Sequence, residues 1–142
     1  MTQAAGNSLT REKANGNEVA MADRSELIIA LAKRFLDFVR DVAPANRRAF
    51  FRYDFGEYRS GSIASVDLGV EVNLIDPFKH AVFYADMNAL CDRLASTFEK
   101  PRGAFLLRID ESFNYDIQFD FDDANRWRIS KIGGTGIPEG ID

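Results

Sequence analysis

The chain holds one cysteine, Cys91, and one histidine, His80. A lone thiol cannot close an internal disulfide, so nothing here argues for an oxidising compartment. Zinc needs three or four nitrogen or sulfur ligands, which excludes a zinc site of the usual kind. The same scarcity removes Ser-His-Asp and Cys-His catalysis unless His80 is the only base. His80 sits beside Lys79, between a proline turn and the apolar "AVFYA", as an ordinary loop histidine does. Cys91 falls on the apolar stripe of a helix, where a buried thiol is inert. No run of eighteen apolar residues occurs, and the amino terminus lacks the charged-then-apolar order of a secretory signal. These absences describe a soluble, cytoplasmic chain with no membrane partner and no cofactor.

What is present suits a single domain. The 142 residues are 46% apolar and include twelve phenylalanines, enough to bury about two-thirds of the unfolded surface without metals or disulfides. The net charge of −4 is unevenly spread: Arg24 to Arg52 holds seven basic and three acidic residues, whereas Tyr53 to Asp123 holds six basic and fourteen acidic. So acidic a middle is a poor match for nucleic acid, whose phosphates require clustered Lys and Arg. It is a better match for a cationic protein surface.

Residues 1–22 lack aromatics and periodicity and read as a flexible tail, with Met21 placed to serve as an alternative start. Asp23 and Glu26 have capping-box spacing, and Leu27, Ile28, Leu31, Phe35, Phe38, Val39 and Val42 recur at helical spacing until Pro44. The period then changes to two. Phe51, Tyr53 and Phe55 alternate with Arg52 and Asp54; Val66, Leu68, Val70, Val72 and Leu74 alternate with Asp67, Glu71 and Asn73; and "RSGS" supplies a turn between the two runs. A second helix is predicted from Asp86, as cap, to Glu99, burying Met87, Leu90, Cys91, Leu94 and Phe98. Then come "AFLLRID", the stretch "NYDIQFDFDD", and a short strand around Arg126 to Ile132 carrying Trp127 as a core or edge anchor. "GGTGIPEG" has no helix pattern after it to cradle a phosphate, and residues 133–142 read as a flexible C-terminal tail. The fold class is α+β: residues 23–132 form one domain in the order α-β-β-α-β-β, an antiparallel sheet with two helices on one face and an open acidic face.

In "NYDIQFDFDD", Tyr115, Ile117, Phe119 and Phe121 fall on one side of a strand, and Asp116, Gln118, Asp120 and Asp122 on the other. Two neighbouring carboxylates, about 6.5 to 7 Å apart, could share a hydrated Mg²⁺ in a hydrolase. Such enzymes generally also place a Lys, His or Arg near the scissile phosphate, and none is interleaved here. The alternative is a recognition surface: Asp116, Asp120 and Asp122, with Asp67 and Glu71 as secondary contacts, would attract a basic partner at long range. A regulatory adaptor using the basic segment Arg24 to Arg52 is a third reading.

The order of elements resembles the YezG-like immunity proteins, or antitoxins, of bacterial polymorphic-toxin systems. The matching stretches are "LIIALAKRFLDFVRDVAP", "ALCDRLASTF" and "FLLRIDESFNYDIQFDFDD", with Phe119-Asp120-Phe121-Asp122 similar to that family's aromatic-acid strand ending. The resemblance covers residues 24 to 130. It implies a non-catalytic protein that binds and neutralises a cognate protein toxin, often a nuclease, in the producer's cytoplasm.

Overall fold

The computed structural model describes residues 16–141, with side chains from residue 23 onward. A long helix, α1 (Gly16–Val42), precedes β1 (Arg48–Phe55), β2 (Ser60–Asp67) and the short β3 (Val72–Leu74). Helix α2 (Ala81–Ser96) follows, then β4 (Gly103–Asp110) and β5 (Tyr115–Asp120). The five strands form one antiparallel sheet in the order β3-β2-β1-β4-β5. The fold is α+β, and both expected hairpins share a sheet because β1 pairs with β4 as well as with β2.

Both helices pack on one sheet face. Leu31, Phe35 and Val39 of α1 and Phe83, Met87 and Leu94 of α2 close over Phe51, Tyr53, Phe105, Leu107 and Ile109. Each of these side chains contributes about 1.5–3 kcal/mol by leaving water, so this layer dominates stability. Helical periodicity in α1 and alternation in β1, β4 and β5 place these residues inward, as the sequence implies. Helix α1 ends where Ala43 N–H still reaches the Val39 carbonyl, before Pro44, and Asn46 donates to the Ala43 carbonyl from both its backbone N–H at 3.1 Å and its Nδ2 at 2.8 Å.

The opposite face is not open. Phe50 of β1 and Ala104 and Leu106 of β4 are buried there under Trp127 and Ile141, with Ile129 and Ile137 packed alongside. The chain reaches this face by turning under the sheet after β5. Residues 133–141, expected to be a loose tail, therefore supply part of a second core. Residues 126–132 form turns and irregular backbone rather than a strand, and Trp127 itself adopts a left-handed φ of 61°.

Several boundaries also differ from expectation. Helix α1 begins at Gly16, so Asp23 lies within it and does not cap it; residues 1–15 of the expected tail lie outside the described residues. Helix α2 starts five residues before Asp86, with His80 at its N-cap and no side-chain cap, because Phe83 and Tyr84 already face the core. The first hairpin turns at residues 56–59, where Gly56 N–H meets the Arg59 carbonyl, not at "RSGS". The run from Val66 to Leu74 is broken at Gly69, whose φ of 88° favours glycine. It becomes two strands, β2 and β3.

Candidate functional site

Hydrogen-bond phase around the sheet defines the state of its edges. Asp110 N–H donates to the Asn114 carbonyl at 3.0 Å, and the register pairs Arg108 with Asp116, Leu106 with Gln118 and Ala104 with Asp120. In an antiparallel ladder the bonded pairs alternate, so Asp116, Gln118 and Asp120 bond to β4. The backbone groups of Tyr115, Ile117 and Phe119 then point away from the sheet, and no described residue bonds to them. At the other border the C-terminal segment lies against Val72. Lys131 Nζ donates to the Val72 carbonyl at 2.9 Å, and a Cβ at Gly136 would come within 2.8 Å of the Val72 side chain. The C-terminal segment thus meets the β3 edge at Val72, whereas among the described residues nothing bonds to the outward groups of β5.

The predicted acids lie in two groups. Asp116 and Asp120 extend from β5 on the face away from the helices, and Asp122 follows immediately after the strand. Asp67 sits at the end of β2 and Glu71 in the β2–β3 turn, three strand spacings or about 14 Å across the sheet. Asp67 and Glu71 do not project from one continuous strand, since the turn lies between them.

Arginines interleave with the acids. Arg48 pairs with Asp67 at 3.0 Å, Arg108 with Asp116 at 3.1 Å, Arg126 with Asp120 at 3.1 Å, and the buried Arg52 with Asp54. Asp67 titrates below the usual carboxylate range: burial pushes it up, but Gly69 N–H, Arg48 and Arg47 together outweigh that effect. Asp120 is also lowered, first by the backbone N–H groups of Asp122 and Asp123 and then by Arg126. Asp110 is lowered mainly by Asn114 N–H, with Ser112 N–H adding to it, because its carboxylate organises the β4–β5 turn. Glu71 accepts a bond from Asn73 Nδ2 at 3.3 Å. The Asp122 carboxylate has no hydrogen bond or ion pair among the described residues, although its backbone N–H donates to Asp120. Asp122 and the half-exposed Asp116 are therefore the acids most accessible to another molecule.

Sequence reading missed these arginines as structural partners. The signal was the consecutive apolar pairs Phe50-Phe51 and Leu106-Leu107, which break strict alternation and mark central strands buried on both faces. A polar residue such as Arg52 beside them has to find acceptors inside, and it does.

No group of three or more His, Cys, Asp or Glu among the described residues is arranged to hold a metal ion. Asp116 and Asp120 lie four strand positions apart, about 13 Å, with Gln118 between them. The Cys91 thiol is pushed up by burial, with Asp92 adding to the effect. The three arginines of α1 serve the fold: Arg24 lies 4.3 Å from the Phe98 ring centroid, Arg34 pairs with Asp86 at 3.0 Å, and Arg40 lies over Phe113. No helix among the described residues is long and apolar enough to cross a membrane. Compared with known proteins, the chain matches no family model and no curated protein.

Proposed function

We propose that this protein is an immunity protein, or antitoxin, that binds a cognate protein toxin stoichiometrically and neutralises it in the cytoplasm without catalysis. One observation carries the reading: the β5 border of the sheet has no hydrogen-bonded neighbour among the described residues, and Asp116 and Asp120 stand on that strand with Asp122 just beyond it. A nuclease toxin presents cations where phosphates bind, and an acidic border complements such a surface. The sequence likeness to the YezG-like immunity proteins supports the same reading.

The internal arginines do not oppose this use. Exposed ion pairs such as Arg108–Asp116 contribute about 0–1 kcal/mol, so a basic partner can displace or share them at little cost. An interface of about 800 Å² per partner spans roughly 30 Å, which lets Asp67 and Glu71 serve as secondary contacts from the far side of the sheet.

Co-expression with the toxin encoded by the neighbouring upstream gene tests the proposal. The expected result is restored growth and co-purification of the two chains at one-to-one stoichiometry. Continued killing at equal expression overturns it.

A further inference from the structure

We infer that β5 receives an extended, basic segment of its partner as a sixth strand of the sheet. This rests on the reading above for a cationic protein partner and adds the mode of contact. The geometry is specific: the outward N–H and C=O groups of Tyr115, Ile117 and Phe119 lie along a strand of six residues, about 20 Å of edge to which no described residue bonds. The opposite border is three residues long, with Lys131 on the Val72 carbonyl and Gly136 against the Val72 side chain.

Side-chain rows select the occupant. On the helix face the incoming strand lies beside Tyr115, which is 48% exposed, and beside the half-buried Ile117 and Phe119, so it presents apolar residues there. On the other face it lies beside Gln118, beside Asp120, already held by Arg126, and beside Asp116, which stays half-exposed despite its pairing with Arg108, so it presents Lys or Arg toward Asp116. A second copy of this chain is the wrong occupant, because pairing β5 with β5 sets one acidic row beside another. Edge strands are commonly blunted by proline, bulges or charge. Strand β5 contains neither proline nor glycine, and its only such feature is acidic, which repels acidic or self strands and admits basic ones.

The test uses the full chain and a synthetic ten-residue peptide alternating lysine and valine, with a glutamate–valine peptide as comparison. Residue-resolved amide exchange by NMR is the readout. The lysine peptide is expected to slow exchange at Tyr115, Ile117 and Phe119 by about tenfold or more, while Asp116, Gln118 and Asp120, already bonded to β4, change little. The glutamate peptide is expected to do nothing. Tyr115→Pro removes one outward donor without touching the β4 ladder and should abolish lysine-peptide binding, whereas Tyr115→Ala retains it. No protection of the three amides in wild-type protein at millimolar lysine peptide, or equal protection by the glutamate peptide, overturns strand addition. That failure alongside rescue from the toxin leaves the immunity reading standing; protection here without rescue removes the immunity reading alone.

Discussion

The Arg52 guanidinium on the central strand donates to the Ala124 carbonyl at 2.6 Å, joining β1 to a segment 72 residues later. It also donates to the Arg126 carbonyl at 2.8 Å and pairs with Asp54, so one buried cation satisfies three acceptors. Replacing it with an apolar residue of similar length leaves two carbonyls without their side-chain donor and leaves Asp54 with Arg59 as its one cation among the described residues. Arg52→Met is expected to cost about 3–5 kcal/mol, measured by urea denaturation. Trp127, the only tryptophan, provides a local check: its emission should shift red in the variant before global unfolding. An unchanged urea midpoint would show that the clamp contributes nothing.

The C-terminal segment should behave as part of the core rather than as an appendage. Ile137 and Ile141 pack with Phe50, Leu106 and Trp127, and Lys131 and Gly136 meet Val72 at the β3 edge. Deleting residues 133–142 is expected to cost about 2–5 kcal/mol through the two isoleucines, and to make the chain prone to association through Phe50 and Leu106. Thermal unfolding and light scattering measure both effects. A truncated chain that melts with the full-length protein and stays monomeric would contradict the packing.

Tyr84 connects β2 to the loop after β3 through one hydroxyl. It accepts from Ala64 N–H at 2.9 Å and donates to the Ile75 carbonyl at 2.7 Å, and burial pushes its pKa up to about 12. Tyr84→Phe keeps the ring and strands a buried donor and acceptor, for an expected loss of about 2–4 kcal/mol. Denaturant titration checks the loss, and amide exchange at Ala64 should accelerate selectively.

The helix-facing core was legible because its signal is local: period 3.6 in α1, and period two in "YDIQFD" and "RAFFRYDF". The second face was not, because its cover depends on where the chain goes after Phe121. Trp127, Ile137 and Ile141 have no periodicity that shows which surface they meet. The acids of β5 were placed on the correct side by alternation alone, but their partners Arg108 and Arg126 come from pairing register and from a turn. The free edge followed from neither composition nor period; it required the strand order and the phase of the hydrogen bonds.

Acid stability should follow the three lowered carboxylates. Asp67, Asp110 and Asp120 titrate below the ordinary value of 3.8 in the folded chain. The unfolded state therefore binds more protons than the folded state as pH falls past that value, so protonation favours unfolding. Their contribution is fully present above about pH 5 and is lost as pH falls through the folded values. Urea midpoints should be level from neutral pH down to that point and then decline, and Asp120→Asn should flatten the decline. A midpoint independent of pH across the acid range would contradict the assignment.

Binding should depend on the β5 acids more than on those across the sheet. The Asp122 carboxylate has no partner among the described residues and Asp116 is only loosely paired, so reversing either changes the field at the β5 border with little effect on the fold. Asp67 is largely buried against Arg48 and accepts a bond from Gly69 N–H, so its reversal acts on stability first. With the neighbouring toxin as partner, Asp122→Lys and Asp116→Lys are expected to slow association by about three- to tenfold each at low salt. Their melting temperatures should stay near that of the parent protein. The slowing should shrink as ionic strength rises and the Debye length falls to about 8 Å near 0.15 M. Asp67→Lys is expected to lower the melting temperature instead, with a smaller change in association rate. Stopped-flow kinetics over a salt series separates the two groups. Equal rate effects from Asp67 and Asp122, or rates indifferent to salt, would place the contact elsewhere than β5.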